Sequence, residues 1–384
     1  MRFWGITGTN GKTTTTWITA AFINAAKDRK CGYVTTVEVD TGTRQFYTGY
    51  TTPPLAQLKE IFAEMEANGC TDCVMEVSSH AIHQHRSGDT VFSGGVFTNL
   101  SEDHLDYHKT MEAYFDVKLD FARQIAAAHP TTPDMGRRDL PPYVVCLDGG
   151  YGREMFNAVG NLAVNVIPVS VDCNRLQSTA FDLSGLQLVG DYNKSNVLCA
   201  AALAEAAGVP HDVIQAVIPT LKPRWGRLEE VKGEGEGRGP RIFVDFAHTP
   251  DGLEKVLAAA RGFTPEGKKL WVVFGAGGDR DPMKRPLMGE ACAKLADRLV
   301  VTSDNPRSED PSAIIDAILG GIGGDRRLST VVEPDRKKAI EFALREADEG
   351  DVVIIAGKGH ETTQEIKGVK YPFDDREVVR AFRR

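Results

Sequence analysis

Residues able to do chemistry cluster first near the N-terminus. There Gly5-Ile6-Thr7-Gly8-Thr9-Asn10-Gly11-Lys12-Thr13-Thr14 follows a short apolar stretch. A glycine-rich turn between a strand and a helix points several backbone N–H groups into one concavity. The helix N-terminus adds partial positive charge, so such a turn suits a polyphosphate. Lys12 can reach the outer phosphates, and the Thr13 hydroxyl can take a place on Mg²⁺. Ile6 stands where the first glycine of G-x-x-x-x-G-K-T belongs. An ordinary Gly/Thr-rich turn is the bland alternative, and Gly-Lys-Thr behind a strand signal favours the phosphate loop.

A carboxylate and a histidine follow at the ends of later apolar runs. Met75-Glu76-Val77-Ser78-Ser79-His80 places Glu76 at one strand end, and Phe97-Thr98-Asn99-Leu100-Ser101-Glu102-Asp103-His104 places polar groups at another. Phosphoryl transfer needs hard oxygen ligands for Mg²⁺, which Thr13 and Glu76 can supply, with His104 a nitrogen ligand to a second metal. Taken singly, Glu76 reads nearly as well as a helix-capping carboxylate, and His104 as a hydrogen-bonded surface histidine. Their joint occurrence behind a phosphate loop points to a metal-assisted site. Cys70-x-x-Cys73 has no second Cys or His pair at matching spacing and reads as two packed thiols. Seven cysteines in 384 residues make no disulfide framework and suit a reducing, cytoplasmic compartment.

These groups need a scaffold that aligns strand ends. Apolar residues recur at helical spacing over 13–26 and over 55–67, the latter behind Pro53-Pro54. Residues 74–77 and 95–97 read as short buried strands. The alternation predicts a parallel sheet with helices on both faces, whose ligands sit beyond the C-terminal strand ends. The phosphate loop, Glu76 and Asn99 should then share one edge. Residues 129–152, rich in Pro, Gly and Arg, read as an irregular insertion, 196–207 as a strong helix and 222–227 as a hinge. Residues 233–239, with four glycines, read as a hairpin tip or loop. The alternation then restarts, with strands over 242–246, 270–274, 299–302 and 352–355, and helices from 251, near 287–295 and from 311. The length fits about two to three domains. A formal charge of −8 argues against nucleic acid as the main partner, and no apolar run approaches a membrane span.

Several motifs together resemble the Mur ligases, nearest the MurE type, which adds the third peptide residue to UDP-MurNAc-L-Ala-D-Glu. They are Thr7-Gly8-Thr9-Asn10-Gly11-Lys12-Thr13, Glu76-Val77-Ser78-Ser79-His80, Thr98-Asn99-Leu100 and Asp103-His104-Leu105-Asp106-Tyr107-His108. The likeness continues through Asp245-Phe246-Ala247-His248-Thr249-Pro250-Asp251, Gly277-Gly278-Asp279-Arg280-Asp281, Asp304-Asn305-Pro306-Arg307 and Gly357-Lys358-Gly359-His360-Glu361. The resemblance implies an enzyme that activates a carboxylate with ATP as an acyl phosphate, which an amino group then attacks. It implies that Gly8, Thr9, Asn10, Gly11, Lys12, Thr13 and Thr14 hold the nucleotide phosphates. Asn196, Arg227 and Asp245 would take the adenine and ribose side. Thr13 and Glu76 would bind one Mg²⁺ and His104 the other. Lys118 falls where the family carries a carbamylated lysine; by itself it would read as a surface helix lysine.

The resemblance further implies that Thr51, Thr52, Ser78, Gln84 and Arg86 bind the muramoyl-dipeptide acceptor. The Asp304-Asn305-Pro306-Arg307 version of its motif is similar to that of ligases adding meso-diaminopimelate. A guanidinium can grip the distal carboxylate with two parallel hydrogen bonds, whereas it would repel the ammonium of lysine. Arg280, Gly357 and Glu361 would complete this pocket; a surface salt bridge is the plainer reading of Arg307. The implied fold is α/β: a central P-loop-type ATP-binding parallel-sheet domain, 1–222, followed by a C-terminal Rossmann-like α/β domain, 223–384, with domain closure needed to assemble the site. Family members carry an additional N-terminal domain for the uridine end of the acceptor, whereas this sequence opens at the nucleotide loop. Three expectations compete: a short ligase with a UDP-free acceptor, a separate polypeptide supplying that domain, or a start lying upstream or removed. A UDP-free peptide or polyglutamate acceptor, and a non-catalytic nucleotide-binding protein, are the alternative functions.

Overall fold

The computed structural model describes residues 1–132, 134–176, 180–232 and 239–382. Most of the glycine-rich segment 233–239 therefore lies outside the described residues. The chain divides into two compact units, Met1–Leu221 and Lys222–Arg384.

In the first unit, β1 (Arg2–Thr7), β2 (Cys31–Val34), β3 (Val39–Asp40), β4 (Gln45–Phe46), β5 (Asp72–Glu76), β6 (Phe92–Phe97), β7 (Pro142–Cys146) and β8 (Asn165–Val169) form one sheet, ordered β4-β3-β2-β5-β1-β6-β7-β8. Its body is parallel, with β1 between β5 and β6. β3 and β4 add an antiparallel edge, a departure from the all-parallel expectation. The stretch read as an irregular insertion contains β7, which pairs in parallel with both β6 and β8. Pro142 opens the strand, where a missing N–H is tolerated, and the glycines of the stretch lie outside it. Its own Tyr143-Val144-Val145-Cys146 is buried, and tertiary pairing overrides so short a local signal. Helix Lys12–Ala25 starts directly from the loop and buries a long run from Thr13 to Ala20. Helix Met111–Ala128 packs Phe121, Ala122 and Ile125 into the core shared with Phe92 and Tyr143. Cys31, Cys70 and Cys73 are free buried thiols, as the packing reading of the Cys-x-x-Cys pair expects.

In the second unit, β9 (Glu229–Glu230), β10 (Arg241–Asp245), β11 (Leu270–Phe274), β12 (Arg298–Val301), β13 (Val331–Val332) and β14 (Val352–Ala356) form a sheet ordered β13-β12-β11-β14-β10-β9. It is parallel except for β9. Its central strands are wholly buried, as expected where helices cover both faces. A hairpin of β15 (Thr363–Ile366) and β16 (Val369–Pro372), turning at Lys367-Gly368, had no counterpart in the sequence reading. Among the described residues, no helix is long and apolar enough to cross a membrane.

Candidate active site

The phosphate loop is built by three neighbouring strands. β1 ends at Thr7 and the loop rises between the C-terminal ends of β5 and β6. The Thr98–Ser101 segment behind β6 holds it in shape. Thr9 N donates to Asn99 O (2.9 Å), Asn10 N to Asn99 Oδ1 (3.0 Å), and Thr98 Oγ1 to Asn10 O (2.7 Å). Gly8 has φ +151°, and a Cβ there would fall 1.9 Å from Thr98 Oγ1, so only glycine admits this approach. Asn196 lies against the same loop, its Oδ1 accepting from Thr15 Oγ1 (3.4 Å) and lying where a Cβ on Gly11 would fall. Thr13 and Thr14 open the helix and are buried.

Two lysines meet one carbonyl. Lys12 Nζ donates to Gly8 O (3.0 Å) and Thr9 O (2.8 Å), and Lys118 Nζ donates to the same Gly8 O (2.9 Å). Lys118 is 1% exposed and lies over the Tyr114 ring at 4.8 Å. Burial, and then the charge of Lys12, push the Lys118 ammonium well below the usual lysine range, with Asp103 opposing. Helix Met111–Ala128 aims Lys118 inward because its opposite face carries the polar residues Glu112, Asp116 and Arg123.

Glu76 closes β5 and is fully buried. Its Oε1 accepts from Thr36 N (2.8 Å) and its Oε2 from Thr36 Oγ1 (3.2 Å). Thr36 also reaches Thr51 Oγ1 (2.9 Å), a link no sequence signal marked. His104 is in the left-handed region at φ +57°, with Nε2 3.5 Å from Asp103 Oδ2. It borders a ring cluster with His80 (5.0 Å) and Tyr114 (6.3 Å). His108 stacks on Tyr114 at 4.7 Å, and burial and then His80 hold it down at about 4, so it is neutral near pH 7. Among the described residues no three His, Cys, Asp or Glu side chains form a metal cage. Mg²⁺ bound to nucleotides needs none, since it keeps waters and phosphate oxygens beside one or two protein ligands. The hard hydroxyl of Thr13 and the buried carboxylate of Glu76 fit that demand.

The residues expected to bind the acceptor are linked to one another. Thr52 Oγ1 donates to Glu76 O (2.8 Å) and accepts from Ser78 N (3.1 Å), Arg86 Nη1 donates to Thr52 O (3.3 Å), and Arg86 Nε donates to Gln84 Oε1 (2.9 Å). Ser78 Oγ caps helix Ser79–His83 through Ala81 N. Thr52 and Ser78 thus shape the backbone at the Glu76 strand end as much as they line a surface.

In the second unit the loops behind β11, β12 and β14 converge. Asn305 Nδ2 and Lys358 Nζ both donate to Glu361 Oε2 (2.8 Å each), and Lys358 Nζ also donates to Asn305 Oδ1 (3.1 Å). Lys358 is fully buried and neutralises Glu361, a role the motif alone did not reveal. Arg307 sits at φ +51°, pinned by the hairpin through Arg307 N→Glu365 O (3.0 Å) and Lys367 N→Arg307 O (2.6 Å). Its guanidinium donates to Gly278 O (2.6 Å) and lies 3.7 Å from Glu365 Oε2. Arg280 is exposed, with a local contact to Asp279 O. Asp304 turns toward Gly357: a Cβ on that glycine would fall 2.3 Å from Asp304 Oδ2. Asp245 Oδ1 accepts from Ala247 N (2.7 Å), bracing its own turn, and Oδ2 accepts from Leu228 N (2.6 Å), next to Arg227, which lies over Phe246 at 4.6 Å.

His360 packs on Phe246 at 4.9 Å. Burial, then Arg227 and Arg376, push it from the usual 6.5 to about 3. An unfolded chain takes up this proton near pH 6.5, the folded one only near 3, so between these values the unfolded state binds more protons and stability falls as pH falls. Denaturant midpoints at about pH 7.5 and about pH 5 should therefore differ less in His360→Gln than in the parent.

A loop of backbone amides with a lysine, near a buried strand-end carboxylate, suits a nucleotide's phosphates and Mg²⁺. The family description "Mur ligase middle domain" matches residues 6–204, and "Mur ligase, glutamate ligase domain" matches residues 226–359. This chain belongs to the Mur ligase family. Among its relatives, a UDP-N-acetylmuramoyl-L-alanyl-D-glutamate--2,6-diaminopimelate ligase from Synechococcus elongatus is 41% identical over 98% of this chain and 75% of its own length. The protein of the same name from Geobacillus kaustophilus is 38% identical, over 98% and 78%. A solved structure of an enzyme of that name is similar at 32% identity and a TM-score of 0.60, over 99% of this chain and 77% of its own. A Mycobacterium tuberculosis folylpolyglutamate synthase shares the fold at 19% identity and a TM-score of 0.63, over 93% and 88%.

Proposed function

We propose that this chain joins meso-diaminopimelate to the D-glutamyl carboxylate of a UDP-MurNAc-L-Ala-D-Glu acceptor, at the expense of ATP, in the cytoplasmic stage of peptidoglycan synthesis. The observation that carries the amino-acid choice is Arg307, whose backbone is fixed by the hairpin and whose guanidinium is held by Gly278 O, two residues along the chain from Asn305, which bonds Lys358 and Glu361. In this reading the Thr51, Thr52, Ser78, Gln84 and Arg86 surface orients the acceptor so that its carboxylate oxygen forms a bond to the γ-phosphorus as ADP leaves. The free amine then attacks the acyl carbon, forming the C–N bond as phosphate departs and the amine loses a proton. Lys12 and the loop amides stabilise charge moving onto the transferred group. Thr13 and Glu76 would hold one Mg²⁺, and His104 with Lys118 a second; when bound, these ions neutralise phosphate charge.

Lys118 suits this only in modified form. A neutral amine adds to CO₂, giving a carbamate and releasing one proton. The carbamate turns a buried cation beside Lys12 into an anion that can face a metal. Asn196, Arg227 and Asp245 would serve the adenine and ribose. The experiment is ADP release with ATP, Mg²⁺ and meso-diaminopimelate, comparing UDP-MurNAc-L-Ala-D-Glu with the same dipeptide lacking UDP. Turnover with the UDP-linked acceptor supports the proposal. Turnover only with the UDP-free acceptor replaces the acceptor, and ATP binding without turnover on either rejects it.

A further inference from the structure

Beneath the Asp304–Arg307 and Gly357–Glu361 loops lies a charged pair that the proposed chemistry does not use. Arg336 and Asp375 are fully buried. Arg336 Nε donates to Asp375 Oδ1 and Nη2 to Asp375 Oδ2, both at 2.8 Å. The remaining donors reach Ala356 O (Nη2, 2.9 Å) and Ser303 O (Nη1, 3.3 Å). Those carbonyls belong to the residues immediately before Gly357 and Asp304. One guanidinium therefore ties together the starts of both loops and the first turn of the last helix, Asp375–Ala381.

Helix stability does not account for it. Arg336 is the first residue of helix Arg336–Glu346, where the helix dipole opposes a cation. Nor does core stability require it, because well-packed apolar residues of similar volume commonly replace a buried ion pair without loss. What apolar residues cannot replace is the pair of carbonyl contacts. A planar fork can span two carbonyls and a carboxylate at fixed angles. Gly357 leaves no room for slack, being pressed on Asp304 with Arg336 Nη2 4.0 Å from its notional Cβ.

We propose that Arg336 and Asp375 are positioning residues that set the spacing of the Asn305 and Glu361 loops, and so the affinity of this unit for the incoming amino acid. This rests on the reading of those loops as the amino-acid site. The test compares the full chain with Arg336→Met/Asp375→Leu and with Asp375→Asn, reading thermal unfolding and KM for each substrate. The expected result is a folded double variant whose KM for the amino acid rises about tenfold or more, with KM for ATP within about twofold. Arg336→Lys, which keeps charge but not the fork, should behave like the double variant. An unchanged amino-acid KM in a folded variant overturns the proposal, as does a parallel rise in the KM for ATP. If the double variant fails to fold, Asp375→Asn gives the same two readings. Should the unsubstituted chain use lysine instead of diaminopimelate, the substrate reading fails, and the comparison is made on lysine.

Discussion

Lys118→Ala is expected to lower ATP-dependent turnover by about a hundredfold to a thousandfold, the scale for removing one preorganised electrostatic contact from a phosphoryl-transfer site. The residue is buried on a helix, shares the Gly8 carbonyl with Lys12, and has its ammonium disfavoured by burial and by that neighbour. Simple truncation would also leave a cavity, so loss of activity alone does not separate chemistry from packing. Two further results do. Incubation with ¹³C-labelled bicarbonate should give one carbamate signal in the parent and none in Lys118→Ala. Lys118→Arg, which keeps a cation but cannot add CO₂, should be about as inactive as the alanine variant while still binding ATP. Full activity in the arginine variant would show that a plain positive charge suffices there. A low pH should also weaken the site, because carbamate formation releases a proton and is reversed by acid.

Arg307→Ala should raise KM for meso-diaminopimelate by about a hundredfold to ten-thousandfold, since charge-assisted hydrogen bonds contribute about 1.5–3 kcal/mol each and the substrate carboxylate would lose two. KM for ATP should stay unchanged. The variant should also lose discrimination against lysine, because the repulsion between guanidinium and ammonium goes with the side chain. Arg307→Lys is not a rescue. Its point charge cannot match the planar fork, and the hairpin bonds at 307 hold the backbone rather than the head group. The check is a pair of kcat/KM ratios, diaminopimelate over lysine, for parent and variant. A ratio unmoved by Arg307→Ala would place selectivity elsewhere, with exposed Arg280 the next residue to replace.

The legible parts of the sequence were those where local chemistry dictates local structure. Gly8 and Gly11 announce a turn with positive φ, Lys12 and Thr13 a helix start, and Glu76 a strand end, because each depends on neighbours a few residues away. The two α/β units follow from apolar runs alternating with helical spacing. β7 was hidden because its pairing with β6 and β8, rather than its Pro- and Gly-rich surroundings, makes it a strand. The β15–β16 hairpin was hidden because polar, partly exposed residues give little periodicity.

The chemical groups and the strand ends that carry them are legible from short segments alone, since both are local properties. Their partners come from the packing of distant segments. Folding put Lys118 on the same carbonyl as Lys12 from 106 residues away in sequence, gave Glu76 to Thr36, and set Lys358 against Asn305. It also turned Arg336, an unremarked helix residue, into the link between two loops. Burial and charge neighbours depend on which distant segments pack together, and they set whether a lysine is an ammonium on the surface or an amine in the interior.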